Sequence, residues 1–152
     1  MFSFFTSGKP LLNEAQQSQL LQAIRLAEQR TSGEIRIFLE KRCRYVDAAD
    51  RAAEIFFEQG MQQTAQRNAV LIYLATQDHQ LAIWADQGIY EKLGAPYWGH
   101  KVQEMAGLFK KEDYLQGLVN CIEAIGDALH QHFPYDRNQD RNELSDEILF
   151  GK

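Results

Sequence analysis

Only two cysteines, Cys43 and Cys121, occur in the 152 residues, with no Cys-X-X-Cys pair and no Cys/His cluster at metal-ligand spacing. A disulfide framework and a zinc or iron–sulfur site have no sequence support, and both residues read as free thiols, Cys121 a buried one. Basic residues are outnumbered, 16 against 21 acidic ones, for a formal net charge of −5 with no long basic run. The charge footprint that draws phosphate backbones is missing, so nucleic acid is not an expected partner. Long apolar runs are absent too, and none approaches the ~20 residues of a membrane span. Met1 to Lys9 lacks the basic start, apolar run and cleavage site of an export signal, so the expectation is a cytoplasmic protein with no membrane span. There is no Gly-rich phosphate loop and no nucleophile elbow, which leaves covalent catalysis without a motif and no organic cofactor expected.

What is present is the balance of a globular chain, 45% hydrophobic and 24% charged, at the length of one ordinary domain. Asn13 and Gln16 form a capping box ahead of Leu20, Ala23, Ile24 and Ala27, predicting a helix from Glu14 to Arg30. Thr31-Ser32-Gly33 breaks that pattern. Glu34 to Glu40 then alternates, with Ile35, Ile37 and Leu39 on one face, predicting a strand. Asp47 caps a second helix that runs to about Gly60 or Met61. Ala69 to Ala75 is unbroken apolar sequence, the mark of a strand covered on both faces. A short polar connection, Thr76 to Gln80, leads to Leu81–Ala85; it is too short for a crossover, so these strands pair as an antiparallel hairpin. The first two strands, joined through a helix, are expected to run parallel. A short element from Gly88 to Gly94 and two amphipathic helices follow, the last ended by Pro134. The chain divides into a domain over residues 1–134 and a polar tail over 135–152, whose apolar triplet Ile148 to Phe150 is expected to dock on the domain.

Three stretches carry a family resemblance: Ser32-Gly33-Glu34-Ile35, Arg67-Asn68 with the apolar run to Leu74, and Ala82-Ile83-Trp84-Ala85-Asp86-Gln87-Gly88-Ile89. Together with Phe109-Lys110, Tyr114 to Leu118, Phe133-Pro134 and Asn142 to Ile148, in that order, the chain resembles the TPM domain family over nearly its whole length. The resemblance implies an α/β fold in three layers: an α/β/α sandwich whose small mixed sheet, two parallel strands plus an antiparallel hairpin partner, is flanked by helices. It also implies binding of a divalent cation, calcium above all, and acid phosphatase activity, which is proposed for some members. Many members are exported or membrane-anchored; this chain resembles the short cytoplasmic form.

Strand direction adds an inference of its own. With two strands parallel and the third antiparallel, the starts of the first two lie beside the end of the third. That edge gathers Ser32, Gly33, Glu34, Arg67, Asn68, Asp86 and Gly88. Glu34 and Asp86 are oxygen donors for a hard cation, and a helix starting near Gly88 offers N–H groups to a phosphate or carboxylate beside Arg67. Glu34, Arg67, Asn68 and Asp86 are the first candidates for ligand or metal binding. The same residues also fit a loop-fixing ion pair and ordinary turn chemistry. The opposite edge, at the carboxyl ends of the parallel strands where open α/β sheets bind ligands, gathers Glu40, Arg42, Arg44, Asp47, Asp50 and Asp78. Asp47, Asp50 and Asp78 are the second metal candidates, against roles in helix capping and turns. None of the four histidines has metal-ligand spacing, and Trp84, Trp98, Tyr90 and Tyr97 suit core packing or an aromatic surface.

Two functions remain open on the sequence. One is a cation-binding domain with weak phosphatase activity inherited from the family likeness. The other is a non-enzymatic interaction module whose tail, Asn142 to Lys152, or aromatic group near Trp98 engages an unknown protein partner.

Overall fold

The computed structural model describes the backbone of residues 5–6 and 9–10, and residues 11–135 and 148–151 in full. Two short strands, β1 (Phe5–Thr6) and β2 (Lys9–Pro10), pair antiparallel ahead of α1 (Glu14–Glu28). There follow β3 (Glu34–Glu40), α2 (Ala48–Glu58), β4 (Ala69–Ala75), β5 (Gln80–Ala85), α3 (Gln87–Leu93), α4 (Ala95–Lys110), α5 (Tyr114–His132) and β6 (Ile148–Phe150). The main sheet has the order β5-β4-β3-β6. β3 and β4 are parallel, from Glu34 opposite Ala69 to Glu40 opposite Ala75, while β5 returns antiparallel along β4.

The alternation in β3 sorts its side chains between two covering layers. Ile35, Ile37 and Leu39 join Val70, Ile72 and Leu74 under α1, α4 and α5, where Leu20, Ile24, Met105, Leu118, Ile122 and Ile125 complete the larger core. Phe38, Leu71 and Tyr73 face the other way, against Ala52, Ile55 and Phe56 of α2. The result is a three-layer α/β/α sandwich. All seven residues of β4 are buried, as a strand covered on both faces requires. Each fully buried Leu, Ile or Val contributes about 2 kcal/mol. Cys43 and Cys121 are free thiols, and Cys121 is buried, where the apolar surroundings push its pKa up to about 12.

Local chemistry sets the ends of the elements. Asn13 accepts from the Gln16 N–H and Gln16 returns a bond to the Asn13 N–H, closing the capping box of α1. That helix stops at Glu28, two residues short of the expected end, because Arg30 N–H turns back to the Ala27 carbonyl. Asp47 caps α2 through Ala49 N–H at 2.9 Å. After α5 the chain is clamped to the start of β3: Ser32 N–H donates to the Phe133 carbonyl at 3.0 Å, and Thr31 bridges to Pro134.

Ile148–Phe150 forms a fourth strand, pairing parallel with Ile37 to Leu39 of β3. The sheet is therefore one strand wider than the three expected. The tail residues between Tyr135 and Ile148 lie outside the described residues.

Candidate functional site

The two ends of the sheet hold the charged residues that strand direction brings together. At the end where β3 and β4 begin, Arg67 adopts a left-handed backbone (φ 52°), uncommon for a non-glycine residue. Its guanidinium meets Asp86 in a two-pronged pair, Nε to Oδ2 at 2.6 Å and Nη2 to Oδ1 at 2.7 Å. The Asp86 carboxylate is almost fully buried, and it holds the pKa of Arg67 above its ordinary value. Asp86 Oδ1 also accepts the Gln87 N–H at 2.8 Å, so Asp86 is itself the N-cap of α3. The helix start expected to receive a ligand carboxylate is thus filled by the protein's own. Asn68 donates to Ser32 Oγ at 3.1 Å, and Glu34 is buried at the start of β3. Gly88 N–H donates to the Arg67 carbonyl at 2.8 Å, and a Cβ at Gly88 would stand 2.2 Å from the Gln66 carbonyl oxygen. Of the first candidates, Arg67 and Asp86 bond each other, Asn68 bonds Ser32, and Glu34 begins β3 at the same end of the sheet.

The opposite end is open. Loop 41–47 after β3 and the hairpin 76–79 after β4 border a cleft of about 980 Å³. Four cationic side chains, Lys41, Arg42, Arg44 and Arg51, and three carboxylates, Glu40, Glu54 and Asp78, line it. Glu40 is the anchor. It is buried at the end of β3 and takes Arg51 in a two-pronged pair at 2.9 and 3.0 Å, while Tyr73 donates its hydroxyl to Glu40 Oε2. Burial first, then that bond to Glu40, raises the Tyr73 pKa. Arg51 also reaches Glu54, which accepts the Tyr45 hydroxyl; these contacts, Tyr45 first, lower the Glu54 pKa. Asp78 Oδ2 receives the Cys43 N–H at 2.8 Å, tying the hairpin to the loop. Arg42 is held only loosely, 3.9 Å from Asp78 Oδ1 with its side chain 76% exposed.

The second candidates do not share one place. Asp78 lines this cleft, whereas Asp47 caps α2 and lines a different cavity beside β5, and Asp50 is exposed on the first turn of α2. No group of three or more His, Cys, Asp or Glu side chains able to hold a metal ion occurs among the described residues. Arg51, Glu54, Tyr45 and Tyr73 were not among the residues expected at the site. A signal for two of them was available, since Arg51 and Glu54 lie three apart on one helix face.

A family model for the TPM domain matches residues 7–128. The chain belongs to the TPM domain family. Among solved structures, this TPM domain is similar to the BA42 protein of the psychrophilic bacterium Bizionia argentinensis, with 35% identity and a TM-score of 0.86 over 97% of this chain and all of that one. The N-terminal domain of a protein from P. gingivalis shares the fold, with 15% identity and a TM-score of 0.62 over 84% of this chain and 83% of that one. No curated protein matches the chain. No helix among the described residues is long and apolar enough to cross a membrane.

Proposed function

We propose that this TPM domain takes a phosphate-bearing ligand, accompanied by a divalent cation with calcium as first choice, in the cleft at the carboxyl ends of β3 and β4, and that slow phosphoester hydrolysis is its activity. One observation carries the reading: four cationic side chains and three carboxylates surround one open cleft of about 980 Å³ at the sheet end where α/β folds bind ligands. Arg42 is loosely tied and can turn to a phosphate as a two-pronged donor. Lys41 and Arg44, exposed on the same loop, add positive charge.

The carboxylates do not form a ready cage for the cation. Calcium takes about six to eight oxygens, and Glu40 and Glu54 are engaged by Arg51, Tyr73 and Tyr45. The cation is therefore read as one that enters with the ligand's oxygens and water.

The test uses three probes on the full chain: inorganic phosphate, calcium, and p-nitrophenyl phosphate at acid pH. Phosphate binding should weaken about tenfold in Arg42→Ala/Arg44→Ala, as expected when charge-assisted bonds are lost. Calcium should raise the melting temperature more with phosphate present than alone. No phosphate binding, or equal binding by the double variant, overturns the reading of the cleft; binding without turnover overturns only the hydrolase part.

A further inference from the structure

The outer side of β5 holds a second cavity, separate from the cleft. β5 is an edge strand of the sheet, and its register decides which backbone groups face outward. Asp86 N–H donates to the Ala69 carbonyl at 2.9 Å, and Val70 stands opposite Ala85. Bonded and non-bonded pairs alternate along an antiparallel ladder. The N–H and C=O groups of Leu81, Ile83 and Ala85 therefore point away from β4.

Beside them lies a groove of about 700 Å³ with β5 as its floor and both covering layers as its walls: Phe57 of α2 on one side, Tyr90, Trp98 and Val102 of α3 and α4 on the other. Phe57 and Tyr90 are 47% and 41% exposed, apolar rings held at the rim. Trp98 is buried, and its indole Nε1 has no hydrogen-bond partner among the described residues. A buried N–H of that kind costs free energy until an acceptor arrives. Edge strands are commonly guarded by proline, lysine or short length. β5 has neither residue over its six positions, whereas the opposite edge, β6, is three residues long.

Charge narrows the occupant. Arg67 and Asp86 at the groove end neutralise one another. The remaining charged residues lining the groove, Asp47 ahead of α2 and Glu91 in α3, are both acidic.

We infer that this groove binds an extended segment of a partner protein as a fifth strand of the sheet, apolar at its centre and basic at its flanks. Main-chain bonds to Leu81, Ile83 and Ala85 hold the segment. Its alternate side chains face the Phe57 wall and the Trp98 wall, and its flanking cations meet Asp47 and Glu91.

The experiment titrates the isotope-labelled full chain with a synthetic valine–threonine repeat peptide flanked by lysines, and with the same peptide flanked by glutamates. Amide exchange at Leu81, Ile83 and Ala85 is expected to slow about tenfold or more with the lysine-flanked peptide, while Ala82 and Trp84, already bonded to β4, change little. Ile83→Pro removes an outward N–H without breaking a bond to β4, and should weaken binding about tenfold. Should that variant fail to fold, Trp98→Phe, which keeps an aromatic ring and removes the donor, should also weaken binding. Glu91→Lys should erase the preference for lysine flanks. The inference is overturned by unchanged exchange at the three amides, by equal binding of the two peptides, or by full binding to a folded Ile83→Pro. Concentration-dependent protection of the same amides without peptide would assign the groove to a second copy of the chain and overturn the partner-segment reading.

Discussion

Where β3 and β4 begin, Arg67 closes on Asp86 at 2.6 and 2.7 Å at the end of the apolar-walled groove beside β5, and where they end, Arg51 closes on Glu40 at 2.9 and 3.0 Å in the charged cleft of about 980 Å³. The ion pairs do not make the difference. The connections do. At the closed end β5 passes into α3 through Asp86 alone, and Gly88 lets that turn sit directly on the Gln66 and Arg67 carbonyls. At the open end the loop 41–47 stands between β3 and α2 and holds its cationic side chains away from the sheet. A charged cluster is a structural brace where backbone packs against backbone, and a candidate site where a loop leaves volume beside it.

The largest expected effect tests the closed end. Gly88→Ala would put a methyl group 2.2 Å from the Gln66 carbonyl oxygen and 2.5 Å from that of Arg67. These are backbone atoms that cannot rotate away, so the loss of unfolding free energy should reach about 3 kcal/mol, at the top of the usual range for overpacking. Urea denaturation measures it. A loss under about 1 kcal/mol would mean that the turn has slack, and the contrast between the ends would fail.

Asp86→Ala comes next. It removes the N-cap of α3, about 1 kcal/mol by itself, and leaves Arg67 in its left-handed conformation without its partner. If the cluster is a brace, the melting temperature falls while phosphate affinity at the far end of the sheet is unchanged. A fall in phosphate affinity with unaltered stability would return the ligand site to this end.

Much of this was legible in the sequence, because it rests on local signals. The bounds of β3 and β4 come out as the alternation and the apolar run predict, and the short connection fixes β5 as an antiparallel partner. Strand direction then places Arg67, Asn68 and Asp86 at one end without any structure. What stayed hidden depends on three-dimensional approach. Pairing of Ile148–Phe150 with β3 spans more than a hundred residues of chain, so no local pattern declares its register. Asp86 reads as a ligand or as part of a loop-fixing ion pair and turn until α3 is seen to begin on it. The meeting of Arg51, Glu54, Tyr45 and Tyr73 with Glu40 requires α2 to be laid across the sheet.

Alkaline pH sharpens the account of the open end. Burial raises the Cys121 pKa from 9.0 to about 12, and burial together with Glu40 raises that of Tyr73 from 10.0. A raised pKa gives stability that is complete below the unfolded value and is lost as pH rises towards the folded one. Stability should therefore decline from pH 9.0 upward, and Cys121→Ala should remove the part that starts there. Tyr73→Phe should remove its share of the part that starts at pH 10.0, a part to which half-buried Tyr97 also contributes, since it deletes a hydroxyl that burial and then Glu40 keep protonated. Denaturant midpoints of the three proteins across this range decide it. A Tyr73→Phe curve parallel to that of the wild type would show that neither burial nor Glu40 holds the hydroxyl protonated.

The smallest expected change is also the most discriminating between the two ends. Arg42 and Arg44 are exposed, and the ion pair of Arg42 with Asp78, at 3.9 Å, is long and open to water. Exposed pairs of this kind contribute little to stability, so Arg42→Ala/Arg44→Ala should stay within about 0.5 kcal/mol of the wild type. Set beside Asp86→Ala, the double variant completes a crossed pattern: one end loses stability and keeps phosphate binding, the other keeps stability and loses binding. If the double variant instead melts early, its arginines are braces like Arg67, and the cleft is a gap between structural loops with no claim on a ligand.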